Sequence, residues 1–120
     1  VVTWGATVHR TKQAVLQLGD DASVEIIDLR TISPWDHDIV AASVRKTGRA
    51  VIAHEAVRNF GVGAEIAATI QEELFGSLKA PVRRLGGPFA PVPFAGNLEQ
   101  AYVVQPAQIV EAVRSTLSAN

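Results

Sequence analysis

Four short apolar runs alternate with four helical patterns along the chain. The runs are Val1–Trp4, Val24–Leu29, Ala50–His54 and Val82–Leu85. The first three are rich in Val and Ile with little alternation, which predicts strands covered on both faces. The fourth carries Arg83 and Arg84 and predicts an edge strand. Between the runs, apolar positions recur at helical spacing. Val8, Thr11, Val15 and Leu18 share one face, and Gly19 closes that helix. Ser33-Pro34-Trp35-Asp36 reads as a capping box, with Ser33 as N-cap, Pro34 at the first helical position and Asp36 reaching back. Ile39, Val40 and Val44 form the stripe of that second helix, and Gly48 follows it. A third runs from about Gly61 to Phe75 with Val62, Ile66, Ile70 and Leu74 inward. A fourth starts at Pro106 with Ile109, Val110, Val113 and Leu117 inward.

Strand–helix repetition at this spacing predicts right-handed crossovers and an α/β fold, a mainly parallel sheet with helices on both faces. One segment breaks the rhythm. Gly86 to Gln105 contains Gly87, Pro88, Pro91, Pro93 and Gly96, so neither helix nor central strand is expected there. Long irregular loops in compact domains are often functional. Phe89, Val92, Phe94 and Tyr102 give this one apolar surface to lay on a neighbour.

Composition narrows the picture. The chain has 120 residues, 48% of them apolar, which suits one domain with one core. It has no cysteine, so disulfides and thiolate metal sites are ruled out. It also has no methionine, which predicts a piece or processed product of a longer chain. The net charge is −1 and no dense run of Lys or Arg occurs, which argues against nucleic-acid and anionic-membrane partners. No apolar stretch approaches membrane-spanning length.

The candidate chemistry clusters after the third run, where His54, Glu55 and Arg58 sit in what reads as a polar turn. An imidazole titrates near neutrality and a carboxylate could hold its tautomer. Neighbouring strand residues point to opposite faces, however, so His54 and Glu55 are not expected to touch. Gly61-Val62-Gly63 could let backbone N–H groups approach an anion. Ile66 stands where a dinucleotide fingerprint needs its third glycine, so close backbone packing is the better reading. Asp28 and Arg30 could bind a ribose or a carboxylate, or pair locally. His9 and His37 read as surface residues, and the three histidines lack metal-ligand spacing. No G-x-S-x-G or P-loop pattern occurs. The residues alone imply an α/β domain without a catalytic set.

Three blocks carry a resemblance: Asp28-Leu29-Arg30-Thr31-Ile32-Ser33-Pro34-Trp35-Asp36, Gly48 to Ala56 and Gly63-Ala64-Glu65-Ile66-Ala67. With Pro91 to Glu99 and Val104 to Val110, they resemble the carboxy-terminal domain of the β subunit of thiamine-diphosphate-dependent 2-oxoacid dehydrogenases. Transketolase has a related last domain. The resemblance implies a three-layer α/β/α sandwich. The family's antiparallel fifth strand would precede Val1 and be missing here. Four parallel strands would remain, with the second beside the first and the third and fourth beyond. It implies that residues 1–120 are a single domain from a longer β subunit whose parent oxidatively decarboxylates a 2-oxoacid, pyruvate or a branched-chain one, and passes the acyl group to lipoyl.

Thiamine diphosphate and magnesium belong to the parent enzyme. The motifs that hold them lie outside this sequence, so no cofactor is expected on this domain alone. The implied partners are the α subunit and the second β subunit of a heterotetramer and, in some members, the subunit-binding domain of the acyltransferase core. The implied compartment is the bacterial cytoplasm, or a mitochondrial matrix or plastid in a eukaryote. His54, Glu55, Arg58, Gly61, Gly63 and Glu65 match the family's turn and carry over as interface or structural residues. Phe89, Pro91, Pro93 and Phe94 carry over as loop contacts. Phe89 stands where the family often has an acidic residue, and Phe60-Gly61-Val62-Gly63 replaces its adjacent glycines. Two rivals remain at this point: a nucleotide- or ligand-binding module using Gly61–Gly63 and Asp28, or the last domain of another thiamine enzyme.

Overall fold

A computed structural model describes residues 1–119. Four strands form one sheet: β1 (Val2–Thr3), β2 (Ile27–Asp28), β3 (Val51–Val57) and β4 (Arg83–Gly87), in the order β2-β1-β3-β4. All three pairings are parallel. The order matches the expected one, and the outer side of β2 is unpaired among the described residues. Only Ile27 and Asp28 of the second apolar run pair in the sheet. The helices are α1 (Thr7–Leu18), α2 (His37–Thr47), α3 (Val62–Leu74), α4 (Gly96–Tyr102) and α5 (Pro106–Ser118).

Strand alternation divides the core in two. Val2 and Ile52 face α2 and α3 and pack with Val40, Val44, Ile66 and Ile70. Val51 and Ala53 face α1 and α5 and pack with Leu18, Ile109, Val110 and Val113. Burying an aliphatic side chain of this size contributes about 2 kcal/mol, so both layers depend on β3, the strand that feeds them.

Four local expectations are corrected. The second helix begins at His37, and its N-cap is Asp36, whose carboxylate accepts the Ile39 N–H at 3.1 Å. Ser33 and a cis Pro34 lie before it, in a tight turn closed by a bridge between Ile32 and Trp35. The stripes also shift by one position. Ile39, Val62 and Leu117 are exposed, while Ala41, Gly63 and Thr116 are the buried residues of those turns. Ala14, not the half-buried Val15, fills the α1 face.

The third correction concerns β3, which extends through Val57, so His54 and Glu55 are strand residues and the turn starts at Arg58. The last concerns Gly86–Gln105, which is not irregular throughout. Gly86 and Gly87 finish β4, and Gly96–Tyr102 is helical. Its prolines all precede Gly96, so nothing in that stretch removes a helical N–H.

Candidate functional site

In a sheet of this order the chain changes its direction of growth between β1 and β3. Such folds place ligands in the crevice outside the carboxyl ends of those two strands. Here protein fills it. Trp4, just past β1, stacks on His54 with ring centroids 5.2 Å apart and planes inclined by 26°. His54 is 1% exposed. Its Nδ1 lies 3.0 Å from the Ala56 carbonyl oxygen, which can only accept, so Nδ1 carries a proton. Burial pushes the imidazole below its ordinary range. The nearby Arg84 charge adds to that, and the bond to Ala56 opposes it. The ring is therefore neutral at pH 7.

The glycines around the turn shape this cage. A Cβ on Gly63 would lie 2.5 Å from His54 Nε2, and one on Gly86 2.9 Å from Cε1. One on Gly61 would lie 2.8 Å from the Val57 carbonyl oxygen and 3.5 Å from His54 Cε1. Glycine is needed here because an imidazole occupies the space that side chains would take. The turn is thus packed against its own chain rather than open to an anion.

The remaining sequence-predicted residues scatter around that cage. Glu55 points to the α1 face, away from His54, with its Oε1 3.8 Å from Arg10 Nη1. Arg58 is exposed; its N–H donates to Gly87 and its carbonyl accepts from Arg84 Nη1 at 2.8 Å. Glu65 is exposed in the first turn of α3, where a carboxylate suits the helix dipole. Asp28 and Arg30 pair with each other at 2.9 Å. His37 bonds Glu73 at 2.6 Å, tying α2 to α3. That bond, together with Asp38, raises its pKa against a smaller opposing effect of burial.

The loop behaves differently. Phe89 is 71% exposed and Phe94 fully so, with Val92 and Leu98 also open and Pro91 and Pro93 between them. Phe60, 89% exposed and at φ +59°, meets Phe89 edge to face at 5.9 Å. An aromatic residue in the left-handed region is an outlier. The segment Phe60–Gly63 and Phe89, both departures from the resembled pattern, thus meet through these two rings. The base of the loop is fixed: Tyr102 is buried, its hydroxyl donates to Ala90 at 3.0 Å, and a Cβ on Gly87 would lie 2.6 Å from its ring.

Sequence reasoning missed Trp4, Gly86 and Arg10 as parts of this edge. The available signal was positional: Trp4 follows the end of the strand next to β3, and Gly86 is the penultimate residue of the strand on its other side. Nothing local pointed to Arg10, which reaches Glu55 across sequence. For a diphosphate with magnesium the donor set does not fit. No group of three or more His, Asp or Glu side chains could hold a metal among the described residues, and the glycine turn is occupied.

Residues 1–109 match the family model described as transketolase, C-terminal domain. The chain belongs to the transketolase C-terminal domain family. Over its whole length this domain is 40% identical to the pyruvate dehydrogenase E1 component subunit beta of Porphyra purpurea, of which it covers 37%. It is 46% identical over 98% of its length to the mitochondrial 2-oxoisovalerate dehydrogenase subunit beta 2 of Arabidopsis thaliana, covering 33% of that protein. The chain therefore spans about a third of the length of the curated relatives it matches. Among solved structures it superposes on a split gene transketolase, described as an inactive beta4 tetramer. The TM-score is 0.82 at 24% identity, covering 98% of this chain and 37% of that one, which establishes the shared fold.

Proposed function

We propose that this domain is the assembly domain of the β subunit of a thiamine-diphosphate-dependent 2-oxoacid dehydrogenase, and that the chemistry resides in parts of the enzyme outside it. One observation carries the reading. The crevice where an α/β sheet takes a ligand is filled by Trp4 and His54, whereas the apolar side chains of the adjoining loop have no cover. Phe89, Val92, Phe94 and Leu98 follow one another closely along the loop, Phe60 meets Phe89, and all five are exposed, as apolar groups that mark protein contacts are. In this reading they bury against the α subunit and a second β subunit, with Arg58 and Glu65 at the rim. The cofactor supplies the decarboxylation and acyl transfer in the parent enzyme. Relatives acting on pyruvate and on 2-oxoisovalerate share this domain at similar identity, so the choice of 2-oxoacid is made elsewhere.

The test mixes the 120-residue chain with the α subunit and the amino-terminal part of the β subunit and follows association by analytical ultracentrifugation. Assembly into a heterotetramer is expected, weakened when Phe89 and Phe94 are replaced by Ser. A chain that stays monomeric beside its would-be partners refutes the proposal. Calorimetry against thiamine diphosphate and a nucleotide panel is expected to be silent. Saturable micromolar binding there would favour a ligand-binding module instead.

A further inference from the structure

The two free edges of the sheet carry opposite charge arrangements. At the β2 edge the two cations nearest the strand have partners: Arg30 pairs with Asp28 and Lys46, from α2, with Glu25, whereas Lys12 of α1 has none among the described residues. At the β4 edge Arg58, Arg83 and Arg84 all line one groove of about 460 Å³ that wraps from α5 round the strand. None of the three is in an ion pair among the described residues. Among the described residues the only side-chain bond any of them makes is from Arg84 Nη1 to the Arg58 carbonyl, which draws the two guanidinium-bearing segments together. Glu111 of α5 lies across the groove without reaching an arginine within 4 Å. Three like charges so gathered repel one another.

Charged side chains on an edge strand guard it against aggregation, which suits Arg83 and Arg84, but Arg58 joins the cluster from outside the strand. The backbone of β4 adds a second observation. Arg83 donates its N–H inward to Ala50, and the Gly87 carbonyl turns inward to Arg58. The alternate residues Arg84 and Gly86 therefore present their N–H and C=O groups outward. An unpaired strand edge flanked by uncompensated guanidiniums fits an extended peptide bearing carboxylates: backbone pairing supplies the affinity and arginine forks fix the side chains. Nucleic acid fits less well, because phosphate binding needs a longer basic track and the chain is net negative.

We infer that the β4 edge, with Arg58, Arg83 and Arg84, is a docking strip for an acidic, extended polypeptide segment of a partner protein. This deepens the assembly reading and rests on it for the partner's origin, but the strip is separate from the aromatic loop.

The probe is a fluorescein-labelled ten-residue peptide of alternating Glu and Val, titrated against the 120-residue chain by anisotropy. Saturable binding is expected, weakening about tenfold between 50 and 300 mM salt, as charge-steered contacts do. It should weaken by about tenfold again in the Arg58→Gln/Arg83→Gln double variant. Hydrogen exchange should slow at Arg84 and Gly86 on binding. A Lys–Val peptide and a single-stranded oligonucleotide serve as controls. No binding of the acidic peptide, equal binding to the double variant, or tighter binding of the oligonucleotide each overturns the inference. Circular dichroism of the double variant shows that it folds, and Arg83→Lys, which keeps the charge but loses the fork, should bind more tightly than Arg83→Gln and less tightly than the unaltered chain. Peptide binding that persists while heterotetramer assembly fails sinks the assembly reading and leaves the strip standing.

Discussion

The His54 cage and the Phe89–Leu98 loop share one end of the sheet and are built on opposite terms. In the cage the imidazole is held within the chain: stacked on Trp4, bonded through Nδ1 to Ala56 and flanked by three glycines. In the loop the base is fixed by Tyr102 while the outer side chains touch little but solvent or, for Phe60 and Phe89, each other. The histidine of a polar-looking segment proves to be interior, and an apolar loop proves to be surface. Residue type near a carboxyl edge therefore does not reveal which part serves the fold and which part meets a partner; only the packing separates them.

Gly63→Val should break the first side of that contrast most severely. The new side chain would overlap the His54 ring, and overpacking of this kind costs about 3 kcal/mol. A denaturant midpoint equal to wild type would mean that the cage is loose. Tyr102→Phe should cost about 1 kcal/mol by removing the bond to Ala90 at the loop base. An unchanged melting temperature would show the hydroxyl to be hydrated instead.

The cage should also respond to pH. His54 has a folded pKa below its ordinary 6.5, so the fold binds fewer protons than the unfolded chain. Its stabilising effect is full above about 6.5 and is lost as pH falls below that value toward the folded pKa. His37 is displaced upward by Glu73, so its contribution is present below that range and lost as pH rises through its folded pKa. In a His37→Gln background, which removes the opposing effect, the melting temperature should fall from pH 7 to pH 5. A flat profile there would contradict a buried neutral imidazole. The smallest effect is expected on the other side of the contrast. Phe94→Ser should change the stability of the isolated chain by no more than about 0.5 kcal/mol, as exposed substitutions do. A larger loss would mean that the loop packs on its own domain.

Much of this was legible in the sequence. Strand type followed from Val and Ile runs, the helices and most of their inward positions from spacing, and the chain order of elements from their alternation. The half-buried Val15 and the exposed Ile39, Val62 and Leu117 lie at the margins of those stripes. Arg83 and Arg84 mark β4 as an edge strand, and it stands at the end of the sheet. The errors have local causes. Asp36 took the cap from Ser33 because its carboxylate reaches the Ile39 N–H. The third strand ran on to Val57 because β4 continued to pair with it, even across an irregularity in register. Proline and glycine density hid α4, whose own residues contain no proline. Within the site, the opposite facing of His54 and Glu55 could be read from strand geometry. The contact of His54 with Gly61, Gly63, Gly86 and Trp4 could not, since it joins four segments brought together by the sheet.

β3 is the longest of the four described strands; it pairs with β1 at Ile52 and Ala53 and with β4 along most of its length, and its alternation feeds both layers. A slip of one position would swing the His54 ring under α1 and drive the Glu55 carboxylate into a space sized for an imidazole. Because three backbone segments close around that ring with no room for a substitute, misaligned sheets are rejected sterically. The histidine works as a locating pin for the whole domain, and this requirement exists whether or not any partner is ever bound.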